Sequence, residues 1–256
     1  MIPATFVGMA LALGSLITMM LLEGTNPLAV VLLPPLLLVF GATFGAAVAG
    51  STTADLRKLG SWFRLSFAPE RASVTGSLIA QLVELATLAR KEGMLPLENR
   101  ARSVEDPFLR RGLQMAIDAV PVEQLRRVLE REIEATRADD LVAARFFAKM
   151  GGYAPTVGII GTVVGLVQVL KSLEDPVALG PLVASAFVAT LWGVLSANFI
   201  WLPMSVKIRR SAELRSAQME VILEGLCEIL AGTNPRALRQ RLRAMLPPSE
   251  AQLSAA

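Results

Sequence analysis

Two threonines and two prolines stand out because of what surrounds them. Thr162 and Pro155 fall in residues 150–170, Thr190 and Pro203 in residues 181–206, and neither stretch contains an Asp, Glu, Lys, Arg or His. Pro155 and Thr162 are seven residues apart, so a helix carries them on one face. Ala186, Thr190, Gly193 and Ala197 form a second small, mildly polar face, and Gly158, Gly161 and Gly165 form a strip that lets another backbone approach closely. Each proline lacks an N–H, so it frees the carbonyl four residues before it, here Gly151 and Phe199. With the two stretches running in opposite directions, Pro155 and Pro203 are expected at similar depth, as a hinge or vestibule wall. The competing reading is a pair of helix-end prolines without a function.

Hydroxyls can line a wall or act as oxygen ligands, but they do not carry protons by changing charge near neutral pH. They also bond their own helix backbone, which is the structural alternative for both threonines. An ion path through a membrane needs a carboxylate or similar group. If this chain conducts, the titrating acid comes from a partner.

The elements that must hold these residues are apolar and long. Besides 150–170 and 181–206, residues 2–22 and 28–53 carry no charge. Each stretch has about 20 residues or more, enough to cross a hydrocarbon core of about 30 Å. The 256-residue chain is 53% hydrophobic with a mean hydropathy of +0.53. The fold class expected is all-α, a polytopic membrane protein with four transmembrane helices and a helical cytoplasmic domain. Residues 1–53 form a first hairpin turning at residues 23–27, and the first span is read as a retained helix because no basic segment precedes it. Residues 54–149 form the cytoplasmic helical domain, 150–206 the second hairpin, and 207–256 a cytoplasmic amphipathic helix and tail. Pro34-Pro35 is expected to disturb the second span, while Gly41, Ala42, Gly45, Ala46 and Ala49 give it a small-residue stripe suited to packing.

Charge sets the topology. Residues 51–149 hold 16 Lys/Arg and 14 Asp/Glu, and residues from 207 onward hold 8 and 5. The positive-inside rule therefore places both and the N-terminus in the cytosol. Topology explains the basic stretches, so no nucleic-acid partner is inferred. The chain has no His and one Cys. His-based metal sites, His general bases and an internal disulfide are excluded. No Walker-type phosphate loop occurs. An enzyme is not expected, nor a metal or cofactor, and Cys227 reads as a buried, inert thiol.

The cytosolic part reads as helical. Leu78, Leu82 and Leu85, then Leu113, Ile117 and Val120, then Leu125, Val128-Leu129, Ile133 and Thr136 recur at helical spacing. Pro69, Gly93, Pro96, Pro107 and Pro121 punctuate them. Residues 209–230 form a further amphipathic helix ended at 232–235, a short basic helix follows, and residues 247–256 are expected to be disordered.

The run Gly151-x-x-Ala-Pro-x-x-Gly-x-x-Gly-Thr-x-x-Gly-Leu, Asp175-Pro-x-Ala-x-Gly-Pro181, Ala189-Thr-Leu-Trp-Gly193 and Asn198-Phe-x-x-x-Pro203 resembles the MotA family of flagellar stator subunits. Two hairpins around a large cytosolic insert agree with it. The resemblance covers essentially the whole chain and implies a mechanism. Five copies surround two helices of a MotB-like single-span partner, whose membrane aspartate carries the ion. Ion flow turns the ring, and the cytosolic part pushes the rotor protein FliG. Pro155 and Pro203 match the family's functional prolines. Arg90 and Glu98 match its rotor-facing charged pair, against the plain reading of a solvated charged surface. Thr162 matches a threonine that sodium-type relatives use near the ion, and Thr190 a hydroxyl kept in both types. Ala189 stands where sodium-type relatives often have a second Thr, so the transported ion is a proton or sodium. The alternatives are a TolQ/ExbB-like envelope motor and a passive membrane scaffold.

Overall fold

A computed structural model of the chain describes residues 4–68 and 76–246, all helix, turn or loop. The expected breaker Pro69 and the expected disorder of 247–256 lie outside the described residues. The helices are α1 (Ala4–Leu22), α2 (Leu33–Ala49), α3 (Thr53–Phe67), α4 (Gly76–Glu92), α5 (Leu97–Ser103), α6 (Pro107–Ile117), α7 (Val122–Lys171), α8 (Pro176–Ser196), α9 (Leu202–Leu230) and α10 (Pro235–Ala244). Two helical stretches, Val122–Lys171 and Pro176–Leu230, are long and apolar enough to cross a membrane; α1 and α2 are apolar but shorter.

Element ends differ from the sequence reading in three places. The expected span 28–53 is a 3₁₀ turn, Pro27–Val30, followed by the 17-residue α2. Pro34 and Pro35 sit in the first turn of α2, where N–H groups have no helical acceptor, so they start the helix rather than disturb it. The amphipathic stripe beginning at 122 and the apolar stretch beginning at 150 are one 50-residue helix, because neither Pro nor Gly separates them. The third difference lies before Pro203. Ala197–Trp201 is a π-helical turn in which the Leu202 N–H donates to the Ala197 carbonyl, five residues back. The wider turn gives the proline ring room where a regular helix would press it against the Phe199 carbonyl. Helix therefore continues from Pro176 to Leu230, and no loop separates residues 209–230 from the fourth apolar stretch.

The chain forms two compact units. The first comprises Met1–Glu70 and Asp140–Arg210. Its core gathers Ala47, Trp62, Phe146, Phe147, Met150, Trp201, Met204 and Ile208. Aromatic rings meet edge-on there, with Phe63 and Phe147 centroids 5.1 Å apart and Phe146 and Phe147 5.6 Å apart. Lys149 Nζ donates to the Gly50 carbonyl at 3.0 Å, at the C-terminus of α2. Ser205 Oγ donates to the Ala144 carbonyl at 2.8 Å. Thr52 and Asp55 form a reciprocal capping box at the start of α3, and the Thr52 hydrogen bonds hold the Asp55 carboxyl below its ordinary value.

The second unit comprises Arg71–Asp139 and Ser211–Ala256. The stripes read from the sequence supply its core, with Leu82, Leu113, Leu125, Leu129, Ile222 and Leu226 fully buried. Val128 is off the stripe, 42% exposed. Arg126 donates to Glu224 at 3.1 Å, which raises the guanidinium further above neutrality. Cys227 is buried in this core, and burial pushes its thiol up, away from the reactive thiolate.

Candidate functional site

Glycine builds the seat. A Cβ on Gly193 would stand 2.7 Å from the Ala154 carbonyl oxygen and 3.0 Å from the Gly158 Cα, and one on Gly158 would stand 3.0 Å from the Ala189 carbonyl oxygen. At Gly161 and Gly165 the obstacles are Ala189 and Ala186, each 2.6 Å away. The strip thus seats α7 against α8 at near backbone contact, closer than any larger residue allows.

This closeness brings Thr162 and Thr190 together. Their hydroxyls are hydrogen-bonded to each other. Thr162 Oγ1 also lies 3.1 Å from the Ala186 carbonyl and 3.2 Å from the Gly158 carbonyl, and Thr190 Oγ1 lies 3.3 Å from the Gly158 carbonyl. Gly158 precedes Thr162 by four residues and Ala186 precedes Thr190 by four. Each threonine therefore reaches the carbonyl that its partner's own backbone uses, and the pair crosses between the helices. Two hydroxyl protons serve these contacts, so at any moment each oxygen donates once and keeps lone pairs free. Both residues are half-buried. The arrangement ties the helices and presents neutral oxygen atoms; it holds no group that ionises near neutral pH.

The contacts also set the register of the two prolines. Gly165 faces Ala186, Gly161 faces Ala189, Gly158 faces Gly193, and Gly151 faces Leu202. Pro155 therefore falls opposite residues near 196, and Pro203 opposite residues near 150. They lie roughly six residues apart along the pair, about 9 Å at 1.5 Å per residue, and not at the similar depth expected from the sequence. What sits beside Leu202 is Gly151, the residue whose carbonyl Pro155 frees. Both prolines are half-buried, Pro155 inside α7 and Pro203 in the first turn of α9.

Arg90 and Glu98 belong to the second unit. Arg90 is exposed in the last turn of α4, and among the described residues it has no ion-pair partner. Glu98, in the first turn of α5, pairs with Arg102 at 2.8 Å and not with Arg90. Sequence reasoning missed Trp192, whose indole N–H donates to the Val30 carbonyl at 2.6 Å and ties α8 to the turn after α1. The signal available was its place in the Ala189–Gly193 motif.

Comparison with known proteins fits this geometry. The model of the MotA/TolQ/ExbB proton channel family matches residues 100–221. Motility protein A of Bacillus subtilis is 33% identical over 95% of this chain and 90% of that protein. The chain belongs to the MotA/TolQ/ExbB proton channel family. Motility protein A of Helicobacter pylori is 32% identical over 98% of this chain and 97% of its own length. Among solved structures, C. jejuni MotAB superposes with a TM-score of 0.91 at 29% identity, covering 96% of each chain. The flagellar MotAB stator complex from Bacillus subtilis superposes at 0.90 and 32% identity, over 98% of this chain and 99% of that one. The family assignment thus rests on whole-length agreement in sequence and in fold, beyond the motif resemblance.

Proposed function

We propose that this chain is the MotA-type subunit of a flagellar stator, converting ion flow into torque on the rotor. The observation that carries the reading is the packing of the charge-free residues 150–170 of α7 on the charge-free α8, closed by glycine and bridged by Thr162 and Thr190, in a chain matched over nearly its whole length by stator proteins. Such a pair supplies walls without a titratable group, so a MotB-like single-span partner supplies the membrane aspartate. Residues 1–53 and 150–206 form four spans, residues 54–149 and 207–256 lie in the cytosol, and both termini face inward across the bacterial inner membrane. About five copies surround the partner's helices. Pro155 in α7 and Pro203 at the start of α9, offset along the antiparallel helices, let them flex as the ion passes. Arg90 and Glu98 face the rotor protein FliG; exposure of Arg90 and pairing of Glu98 only within its own helix suit an external partner. The ion is a proton or sodium. One charge moving across 100 mV releases about 2.3 kcal/mol, so many ions per turn do useful work.

The test is complementation. Cells lacking this gene regain swimming from the intact chain and not from Pro155→Ala or Pro203→Ala at equal membrane levels. Normal swimming of both variants favours a passive scaffold. Unimpaired swimming of the deletion strain with a leaky envelope favours a TolQ/ExbB-like envelope motor. Swimming speed against external sodium at fixed membrane voltage decides the ion.

A further inference from the structure

Two polar side chains buried in the first unit have no hydrogen-bond partner among the described residues: the Thr43 hydroxyl and the Trp201 indole N–H. Thr43 is 0% exposed and Trp201 8%. Burying such groups unpaired is costly, so native proteins pair them with protein or with internal water.

Thr43 departs from its neighbours in kind. Thr18, Ser66 and Thr87 each donate to the carbonyl four residues back in their own helix, and Ser51, just past the end of α2, donates to the Ala47 carbonyl. Thr43 makes no such bond, although its hydroxyl is fully buried. Trp201 belongs to the packed layer beside α2. Phe40, on the same face of α2 as Thr43, stands edge-on to the Trp201 ring with centroids 6.1 Å apart. Ala47, one turn beyond Thr43, is buried in the same cluster as Trp201.

The backbone at Trp201 is also unusual. It closes the π turn that precedes Pro203, and Pro203 offers no N–H to the Phe199 carbonyl. The layer therefore combines a hydroxyl, an indole donor and a backbone segment short of one donor. A cation does not fit against an N–H that points its proton inward. An aliphatic ligand would leave all three groups unpaired. Water fits, because it accepts from the indole, exchanges a hydrogen bond with the hydroxyl and keeps a donor for a π-turn carbonyl.

We propose that Thr43 and Trp201 together hold one internal water molecule against the π turn, as a built hydration site of the α2–α8 layer. The site depends on neither the ion identity nor the rotor contact. Its water fills the donor deficit that Pro203 creates and fixes the wide turn in place.

The experiment uses the full-length chain in detergent. A Thr43→Val change keeps shape and removes the hydroxyl. If the hydroxyl holds water, Thr43→Val and Trp201→Phe each lower the melting temperature by about 2–5 °C, and the double variant falls no further than the worse single one. If the hydroxyl is merely unpaired, Thr43→Val leaves the melting temperature unchanged or raises it, which overturns the proposal. Selective ¹⁵N-tryptophan labelling gives a readout that packing alone does not move. The indole signal lost in Trp201→Phe should show cross-relaxation with water, and Thr43→Val should abolish it. A Trp201 indole without a water signal, or one unaffected by Thr43→Val, also overturns the proposal.

Discussion

A methyl group added at Gly193 should pry α7 from α8. The Cβ of Gly193→Ala would meet the Ala154 carbonyl oxygen at 2.7 Å, the Gly158 Cα at 3.0 Å and the Gly158 nitrogen at 3.3 Å. All three are backbone atoms, so no side chain can swing aside. Restoring ordinary contact of roughly 3.4–4 Å requires the helices to part by about 0.7 Å or more. That shift carries the Thr162–Ala186 and Thr190–Gly158 bonds, already 3.1 and 3.3 Å long, past useful length. Overpacking of this kind costs about 1–3 kcal/mol. Each interhelical bond lost adds about 0.6 kcal/mol, so the total is about 2–4 kcal/mol. Gly60 provides the contrast. It lies mid-helix in α3 with nothing within 4 Å of an added Cβ, so Gly60→Ala should stabilise by about 0.5–1 kcal/mol through helix propensity. Thermal unfolding of the purified chain, with swimming and membrane levels in parallel, measures both. Gly193→Ala with wild-type stability and swimming would refute the close α7–α8 seat.

Three further outcomes follow from other parts of the chain. Thr190→Val removes the hydroxyl that bonds Thr162 and the Gly158 carbonyl, and should cost about 1 kcal/mol in thermal unfolding, with a larger loss of swimming than of stability. Reversing Arg90 or Glu98 should lower motility while leaving membrane levels normal, because Glu98 is tied only to Arg102, in a partly exposed pair worth well under about 1 kcal/mol; collapse of assembly would make these residues structural. Asp55 has its folded-state value lowered, chiefly by the Thr52 hydrogen bonds. Its contribution to the start of α3 is therefore full above the unfolded value near 3.8 and is lost as pH falls through the lower folded value. Hydrogen exchange in the first turn of α3 should lose protection only in that acid range, and Thr52→Ala should return the carboxyl toward its ordinary value.

The sequence carried the helical class and the composition of the seat, because charge-free stretches and small residues at spacings of three and four leave few other readings. Gly158, Gly161 and Gly165 are readable as a close-approach strip and Gly193 as part of a small, mildly polar face, and the structure gives each its obstacle on the facing helix. Where helices stop was less legible. Pro34-Pro35 reads as a break or as a start depending on what precedes it, and the 3₁₀ turn at Pro27–Val30 decides for a start. The charges between 123 and 149 mark a change of surroundings, and helix continues through it because charge does not break a helix as proline or glycine does. The offset between Pro155 and Pro203 depends on the register of two helices against each other, which side-chain contacts set. The π turn and the inward hydroxyl of Thr43 are rotamer and hydrogen-bond facts that no spacing encodes.

The central claim is that this chain houses an ion path whose acid belongs to another molecule. Ion flux into proteoliposomes at an imposed membrane voltage tests it directly. Vesicles holding this chain alone should be as tight as empty ones. Vesicles holding it with its MotB-like partner should conduct, and should lose that flux when the partner's membrane aspartate becomes asparagine. Selective flux through the chain alone, or flux that survives the partner's substitution, would contradict the account.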